Sequence, residues 1–419
     1  MTAPGPQPEE DPARPDGAPP WTDGLELSDA QRLAQTGFAE FARTRILPHA
    51  DRWDRDERLP PEVVGALADS GHLGALIPPE QGGSGWEPVM FGLLNEALGH
   101  ACSSVRSVLT VHSMVSRAVA RWGSPRQRAR WLPALAGGTA VGAFALTEPE
   151  AGSDVAALRT TAEETADGYR LTGSKRWITY GQAADVFLVF ARCTGGPAAF
   201  LVERDAPGST VEPVTGMLGT RAALTAQLRL EGCPVPSEAL VGRAGFGLSA
   251  VAADALEIGR YSVAWGCAGL GRACVEAAAR HAAVRHQFGQ PLARHQLVQR
   301  LITEMDVNTG AARLLCLRAG RLLDRRAPQA VEAVWAAKYF AARSAFRAAA
   351  DAVQVHGAQG CGPGSRVQRL LRDAKVMEII EGTTEIQQTV IAEAVVREQA
   401  GPLAAQPPPR ATEGRNDDG

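Results

Sequence analysis

The period of the apolar residues changes twice along this chain, and that limits the folds open to it. Up to about residue 138 the pattern is helical. In SDAQRLAQTGFAEFARTRILPHA, Leu33, Phe38, Phe41, Ile46 and Leu47 fall near one stripe, with Ser28 placed to cap a helix and Pro48 to stop it. Pro60-Pro61 then opens a short helix over EVVGALADSGHLGAL, and Pro78-Pro79 with Gly82-Gly83 marks a loop. From about Thr139 to Gly242 the runs VGAFALT, YRLTGSKRWITYG, DVFLVFAR, AAFLVER and AQLRLEG read as strands, with Asp167-Gly168 as a hairpin turn. Past Gly247 the helical period returns, and QLVQRLITEMDVNTGAARLLCLRAGRLL and AVEAVWAAKYFAARSAFRAAADAVQVHG predict long bundle helices. The chain is therefore α+β: a helical domain over 26–138, a β domain over 139–243 and a helical bundle over 244–399. The Pro-, Gly- and charge-rich stretches 1–25 and 400–419 are expected to be disordered tails.

Charge and composition remove several classes of function. A net charge of −3 gives no general attraction to nucleic acid or to an anionic membrane. No run of eighteen apolar residues suggests a membrane span, and the acidic, Pro-rich start lacks the features of a secretory signal. Seven scattered cysteines without a CxxC pair argue against a disulfide framework and for a cytoplasmic protein; no metal site is expected.

Three segments carry candidate chemistry. Ala145 to Asp154, ALTEPEAGSD, closes the first strand and offers backbone N–H groups and hydroxyls suited to a planar ring edge and a phosphate, although it also reads as an ordinary strand exit. In SKRWIT, Trp177 is either core, as a Trp on a strand usually is, or an aromatic wall. In MEIIEGTTEI, Glu381 follows two apolar residues. Apolar surroundings raise a carboxylate pKa and suit a base, while a solvated glutamate at a helix start fits equally well. GAQGCGPG looks loosely like a phosphate loop but follows a helix, and carries no weight.

LTEPEAGSD, WIT, RHQFGQPLARHQ, QVHGAQG and EIIEGTTEIQ, collinear over nearly the whole chain between the tails, resemble the acyl-CoA dehydrogenase superfamily. The resemblance implies an N-terminal all-α domain, a central β-barrel domain and a C-terminal four-helix bundle, with FAD between the last two and homotetramers built as dimers of dimers. It implies that Phe144, Ala145, Leu146, Thr147 and Ser153 contact the flavin and its phosphates, and that Trp177, Ile178 and Thr179 wall the ring. Arg285 would reach a neighbouring subunit's pyrophosphate, helped by Gln287, Phe288, His295 and Gln296; alone, Arg285 reads as a surface arginine beside a turn. Gln354 and Gly357-Ala358 would lie near the adenosine half, and Thr383 and Glu385 would touch the cofactor. Glu381 stands where the family has its usual catalytic base. The other family position for a base holds Gly259, so Glu381 is the single candidate. Arg260 would lie near the pantetheine, and Ser153 and Gly382 at the substrate.

The helix CSSVRSVLTVHSMVSRAVARWG bears a stripe of Arg106, Thr110, Ser113 and Arg117 at i, i+4, i+7 and i+11, which alone could be a solvated face. The corresponding helix ends the acyl pocket in the family. Arg106 and Thr110 align with an arginine and a serine that hold the distal carboxylate in glutaryl-CoA dehydrogenases. CSSVRSVLTVHSM, GRYSVAWGCAGLGRAC and AKVMEIIEGTTE look more like the dehydrogenases that make hydroxymalonyl or methoxymalonyl extender units on acyl carrier proteins in polyketide clusters. The implied substrate is a small hydroxylated three-carbon acyl group on a carrier protein. The alternative is a short-chain or glutaryl-type acyl-CoA dehydrogenase with electron-transfer flavoprotein as acceptor. Glu381 argues against a flavin monooxygenase or a non-catalytic scaffold on the same fold.

Overall fold

The structure, a computed structural model, describes residues 27–400. The tails expected at 1–25 and 400–419 lie outside the described residues, except that Ala400 is the last residue of the final helix. Ser28 does cap α1 (Asp29–Phe41): its Oγ accepts from Gln31 N at 3.2 Å, while Gln31 Oε1 accepts from Ser28 N at 3.0 Å. Pro48 does not stop the chain's helical course. A π turn over Ala42–Ile46 and a 3-10 turn over Leu47–His49 carry it into α2 (Ala50–Asp56). Pro48 sits in the first turn of that 3-10 segment, where a missing N–H costs nothing. Prolines likewise open α3 (Pro61–Asp69), α4 (Pro88–Ala101) and α6 (Pro125–Ala136), with α5 (Ser103–Trp122) between the last two.

The β domain is an eight-stranded sheet of β1 (Gly142–Ala145), β2 (Thr161–Thr165), β3 (Gly168–Ile178), β4 (Val186–Cys193), β5 (Gly196–Glu203), β6 (Ser209–Pro213), β7 (Ala226–Pro236) and β8 (Leu240–Val241). Its order is β6-β7-β3-β2-β4-β5-β8, with β1 parallel to β4. The β2–β3 turn is Ala166-Asp167, one residue earlier than expected, because Gly168 already pairs with Thr165. β4 reads as an unbroken apolar run because both faces are covered. Phe187, Val189 and Ala191 enter the main core; Val186, Leu188 and Phe190 pack with Val115, Val119 and Leu132 of α5 and α6.

The C-terminal helices are α7 (Ala253–Val284), α8 (Gln296–Asp324), α9 (Ala330–His356), the short α10 (Ala358–Cys361), α11 (Arg366–Met377) and α12 (Thr384–Ala400), with a hairpin of β9 (His286–Gln287) and β10 (Gln290–Pro291) after α7. α4 lies tight on α7: a Cβ at Gly99 would lie 2.6 Å from Gly266 Cα, and one at Gly269 would collide with the Glu96 carbonyl. All seven cysteines are free. No helix among the described residues is long and apolar enough to cross a membrane.

Candidate active site

α5 runs antiparallel to α7, and the pairs along their seam fix the site. Thr110 meets Ser262 (Oγ1 to Oγ, 2.6 Å), Met114 meets Gly259, and Arg117 meets Asp254 (Nε to Oδ2, 3.2 Å). Glu381 enters at the Met114–Gly259 level. A Cβ at Gly259 would lie 2.7 Å from Glu381 Cδ and 2.9 Å from Met114 Sδ, so the missing side chain is the slot in which the carboxylate lies. Glu381 itself has φ +56° and Gly382 φ +92°, a left-handed pair that turns the chain between α11 and α12. Two cations hold the turn: Arg260 Nε donates to Glu381 O (3.1 Å), its guanidinium 3.9 Å from the Trp335 ring centre, and Lys338 Nζ donates to Gly382 O (2.8 Å). Glu381 Oε2 is sealed from solvent without a hydrogen-bond partner. Burial raises its carboxyl pKa, opposed by Arg260, Lys338 and Arg106. Among the described residues the Glu381 N–H has no acceptor.

The inner end of the seam is closed by Arg106, only 1% exposed. Its Nη1 donates to Thr110 Oγ1 (3.1 Å) and its Nη2 to Met377 Sδ (2.8 Å), while Nε has no partner and no carboxylate among the described residues lies within ion-pair distance. The stripe is thus not a solvated face. α5 is buried from Ser103 to Ser116, and Ser113 Oγ is a further enclosed hydroxyl without a partner. Only Arg117 fits the surface reading, half-exposed and paired with Asp254.

On the β domain, Phe144 packs on the Val111–Met114–Ala255 cluster, which joins the end of β1 to the seam. Ala145 and Leu146 are buried, Thr147 is half-buried and Ser153 exposed. Thr147 O accepts from Arg176 N (2.9 Å), so the β1 exit lies against the segment carrying Trp177. Trp177 is not core: it sits at φ +61° where the β3–β7 register slips, 48% exposed, with Ile178 buried beneath and Thr179 half-buried beside it. A buried ion pair missed at the sequence level fixes this junction. Lys175 Nζ donates to Glu148 Oε1 (2.6 Å) and Leu146 O (3.1 Å), and Glu148 also accepts from Thr160 N (3.0 Å) and Oγ1 (2.6 Å). Burial would raise the Glu148 pKa, but Lys175, Thr160 and the Arg159 N–H outweigh it and hold the carboxyl near 2. Only the acidic and basic members of two separate motifs signalled it.

The other expected residues lie elsewhere on the chain's surface. Arg285, Gln287 and Gln296 are exposed, Phe288 is 95% exposed at the tip of the β9–β10 hairpin, and His295 is half-buried with Nε2 3.2 Å from Gln287 O. Gln354, Gly357 and Ala358 are exposed where α9 ends. Thr383 precedes α12, its Oγ1 accepting weakly from Ile386 N (3.4 Å), and Glu385 is exposed. An exposed aromatic ring beside two half-buried threonines, on backbone braced by a buried ion pair, suits a flat ring with polar edges. The orphaned carboxylate oxygen, packed against Gly259, is a proton acceptor with no partner in the chain's described residues. The residues present therefore fit FAD.

Three family models match the chain: acyl-CoA dehydrogenase, N-terminal domain (residues 28–139), middle domain (143–233) and C-terminal domain (245–396). A Bacillus subtilis (strain 168) acyl-CoA dehydrogenase is 35% identical over 374 residues, 88% of this chain and 98% of that protein. Glutaryl-CoA dehydrogenase from Mycobacterium smegmatis is similar in structure (TM-score 0.85, 34% identity, 88% of this chain and 95% of that one). So is FkbI, for biosynthesis of the methoxymalonyl extender unit of the Fk520 polyketide immunosuppressant (TM-score 0.79, 36% identity, 87% and 99%).

Proposed function

The chain belongs to the acyl-CoA dehydrogenase family of FAD-dependent oxidoreductases, and from that premise we propose that it oxidises a short acyl thioester whose far end is polar or anionic. The observation that carries this is Arg106, a buried guanidinium with no carboxylate of its own. A buried cation without a counterion is costly, and a substrate anion removes that cost. The Thr110–Ser262 level lies one helical turn along α5 from the Met114–Gly259 level of Glu381, about 6 Å at 1.5 Å per residue. Arg106 springs from a full turn further on, its Cδ and Nε against Gly266, and reaches back to Thr110 through Nη1. A pocket ended by these groups suits a short acyl group with a polar end better than a fatty chain. The substrate we infer is the hydroxylated three-carbon acyl group on an acyl carrier protein, converted from its 2-hydroxy-3-oxo form to hydroxymalonyl-carrier protein; the likeness to FkbI, which serves methoxymalonyl extender-unit biosynthesis, supports that reading. The glutaryl-type reading draws on the same Arg106–Thr110 pair, and the comparison of substrates below distinguishes the two.

FAD, when bound, supplies the hydride acceptor. Glu381 takes the proton, from the α-carbon of a saturated acyl group or from a hydroxyl of the hydrated aldehyde. The free Glu381 N–H donates to the thioester carbonyl and orients it, and in the α-proton route it also stabilises the charge that develops there. Gly382 and Arg260 border the thioester arm, and Ser153 closes on it from the β domain. Thr383 and Glu385 border the cofactor at the start of α12. The exposed Arg285, Gln287, Phe288, His295 and Gln296 segment, with Gln354 and Gly357, would complete the FAD site of a neighbouring subunit in a homo-oligomer. The test compares flavin reduction by the three-carbon carrier-bound aldehyde, glutaryl-CoA and butyryl-CoA in wild type and Glu381→Gln. The carrier-bound aldehyde is expected to be fastest, and the variant to lose 10²–10⁴-fold with every substrate while keeping its FAD. Fastest reduction by butyryl-CoA overturns the substrate; an active Glu381→Gln overturns the base.

A further inference from the structure

Lys338 is fully buried on α9 beside the base, yet no step of the proposed reaction gives it a part. Its Nζ has a single hydrogen-bond acceptor among the described residues, Gly382 O at 2.8 Å, and Gln387 Nε2 donates to the same oxygen at 2.8 Å. One residue earlier, Arg260 Nε donates to Glu381 O at 3.1 Å. Consecutive carbonyls are thus held by cations from α7 and α9, across a turn whose two residues both lie in the left-handed region. A non-glycine residue at φ +56° stays there only when its surroundings fix it. In that conformation the Glu381 side chain points into the Gly259 slot and its N–H is left without an acceptor.

We propose that Lys338 is a positioning residue for Glu381: its ammonium clamps the Gly382 carbonyl so that the carboxylate stays in the Gly259 slot, and its charge favours the ionised base. This rests on Glu381 being the base. An ammonium held only by a carbonyl is a poor structural device, because a neutral donor would serve the carbonyl without the cost of burying a charge. The charge has a use only if a carboxylate nearby needs it. Glu381 and Glu378 face Lys338 from the loop, and Arg260 and Cys267 from α7; Arg106 acts on Glu381 from α5. Burial pushes the Lys338 pKa down to about 8, with Cys267, Glu381 and Glu378 pulling it up and Arg260 pushing it further down. The group is therefore still mostly charged at neutral pH, where it lowers the pKa of a carboxyl that burial raises.

Two variants separate the hydrogen bond from the charge. Lys338→Gln keeps a donor for Gly382 O and loses the charge; Lys338→Met loses both. The readout is the infrared titration of the Glu381 carboxyl, identified by its absence in Glu381→Gln and followed with and without FAD. Beside it, flavin reduction is measured with whichever of the three thioesters reduces wild type fastest. Both variants are expected to raise the Glu381 midpoint by about one pH unit. Only Lys338→Met is expected to lose a further 10–100-fold in the high-pH plateau rate, as a displaced base would. A midpoint unmoved in Lys338→Gln, which keeps the donor and the fold, overturns the charge role. A plateau equal in both variants overturns the clamp. Melting temperature falling alone makes Lys338 merely structural. Glu381→Gln reducing its flavin at the wild-type rate instead removes the base, an outcome no Lys338 result imitates.

Discussion

Replacing Arg106 with leucine gives the sharpest test of the pocket, because the structure sets the direction of three separate effects. Nη1 and Nη2 already donate to Thr110 Oγ1 and Met377 Sδ, so an incoming carboxylate gains Nε and the remaining guanidinium hydrogens and must displace part of that arrangement. Truncating one partner of a buried charge pair costs roughly 2–5 kcal/mol, and the displaced contacts put this site near 2–3 kcal/mol. That is a fall in kcat/KM of roughly 30–150-fold for substrates with a polar or anionic end. Compared at high pH, because losing Arg106 also raises the Glu381 pKa, butyryl-CoA should move the other way, since its methyl group would meet leucine instead of an unpaired cation; one methylene against an apolar wall is worth about 1–3 kcal/mol. The fold should not suffer: among the described residues Arg106 has no carboxylate within ion-pair distance to leave unpaired, and an apolar group in its place is neutral or stabilising. The measurement is stopped-flow flavin reduction with the carrier-bound three-carbon aldehyde, glutaryl-CoA and butyryl-CoA, beside a thermal melt. An unchanged substrate order with butyryl-CoA best refutes the assignment. A collapse in melting temperature would mean that Arg106 holds the fold instead.

Three further outcomes follow from particular contacts. Gly259→Ala places a Cβ 2.7 Å from Glu381 Cδ, so the base must move; a shift near 1 Å costs about 10²-fold in flavin reduction with FAD content unchanged, and an unaffected rate would show that the carboxylate works from another position. Glu148→Gln leaves Lys175 buried without its anion, at a cost of about 3–5 kcal/mol and of FAD retention. Because the Glu148 carboxyl is held down near 2, its stabilisation is present above the ordinary glutamate value and fades as pH falls toward 2; the gap in melting temperature between wild type and variant should therefore narrow below pH 4, and a gap independent of pH counts against the ion pair. Arg285→Ala should weaken FAD binding by roughly 1.5–3 kcal/mol, read by equilibrium dialysis, and full retention would show that the arginine is only a surface charge.

Periodicity in a sequence states which residues share a face, but not what lies against that face. For α8 and α9 this was enough, since one apolar side of each is covered by the bundle; the helices run Gln296–Asp324 and Ala330–His356, almost residue for residue where the pattern put them. For α5 it was not. Arg106, Thr110, Ser113 and Arg117 make the same stripe whether the opposing surface is water or α7, and only the continuous burial of Ser103 to Ser116 decides it. Pro48 misled for a related reason: a proline ends a helix when its N–H is needed, and here the π and 3-10 turns place it where none is. The Glu148–Lys175 pair joins residues 27 positions apart through strand register, and Lys338 sits in an Ala-rich helix where a lysine reads as solubilising surface. Apart from Pro48, what the sequence left undecided concerns charged or polar groups inside the fold. Burying such a group carries a free-energy cost that local sequence preferences do not register, so it persists only where a partner or a ligand offsets it. Lys175 has Glu148 and Lys338 has the Gly382 carbonyl, whereas Arg106 has no carboxylate within ion-pair distance among the described residues. By that criterion the buried Arg106 is the charged group of this fold that most needs a partner from outside the chain, which is what the leucine substitution tests.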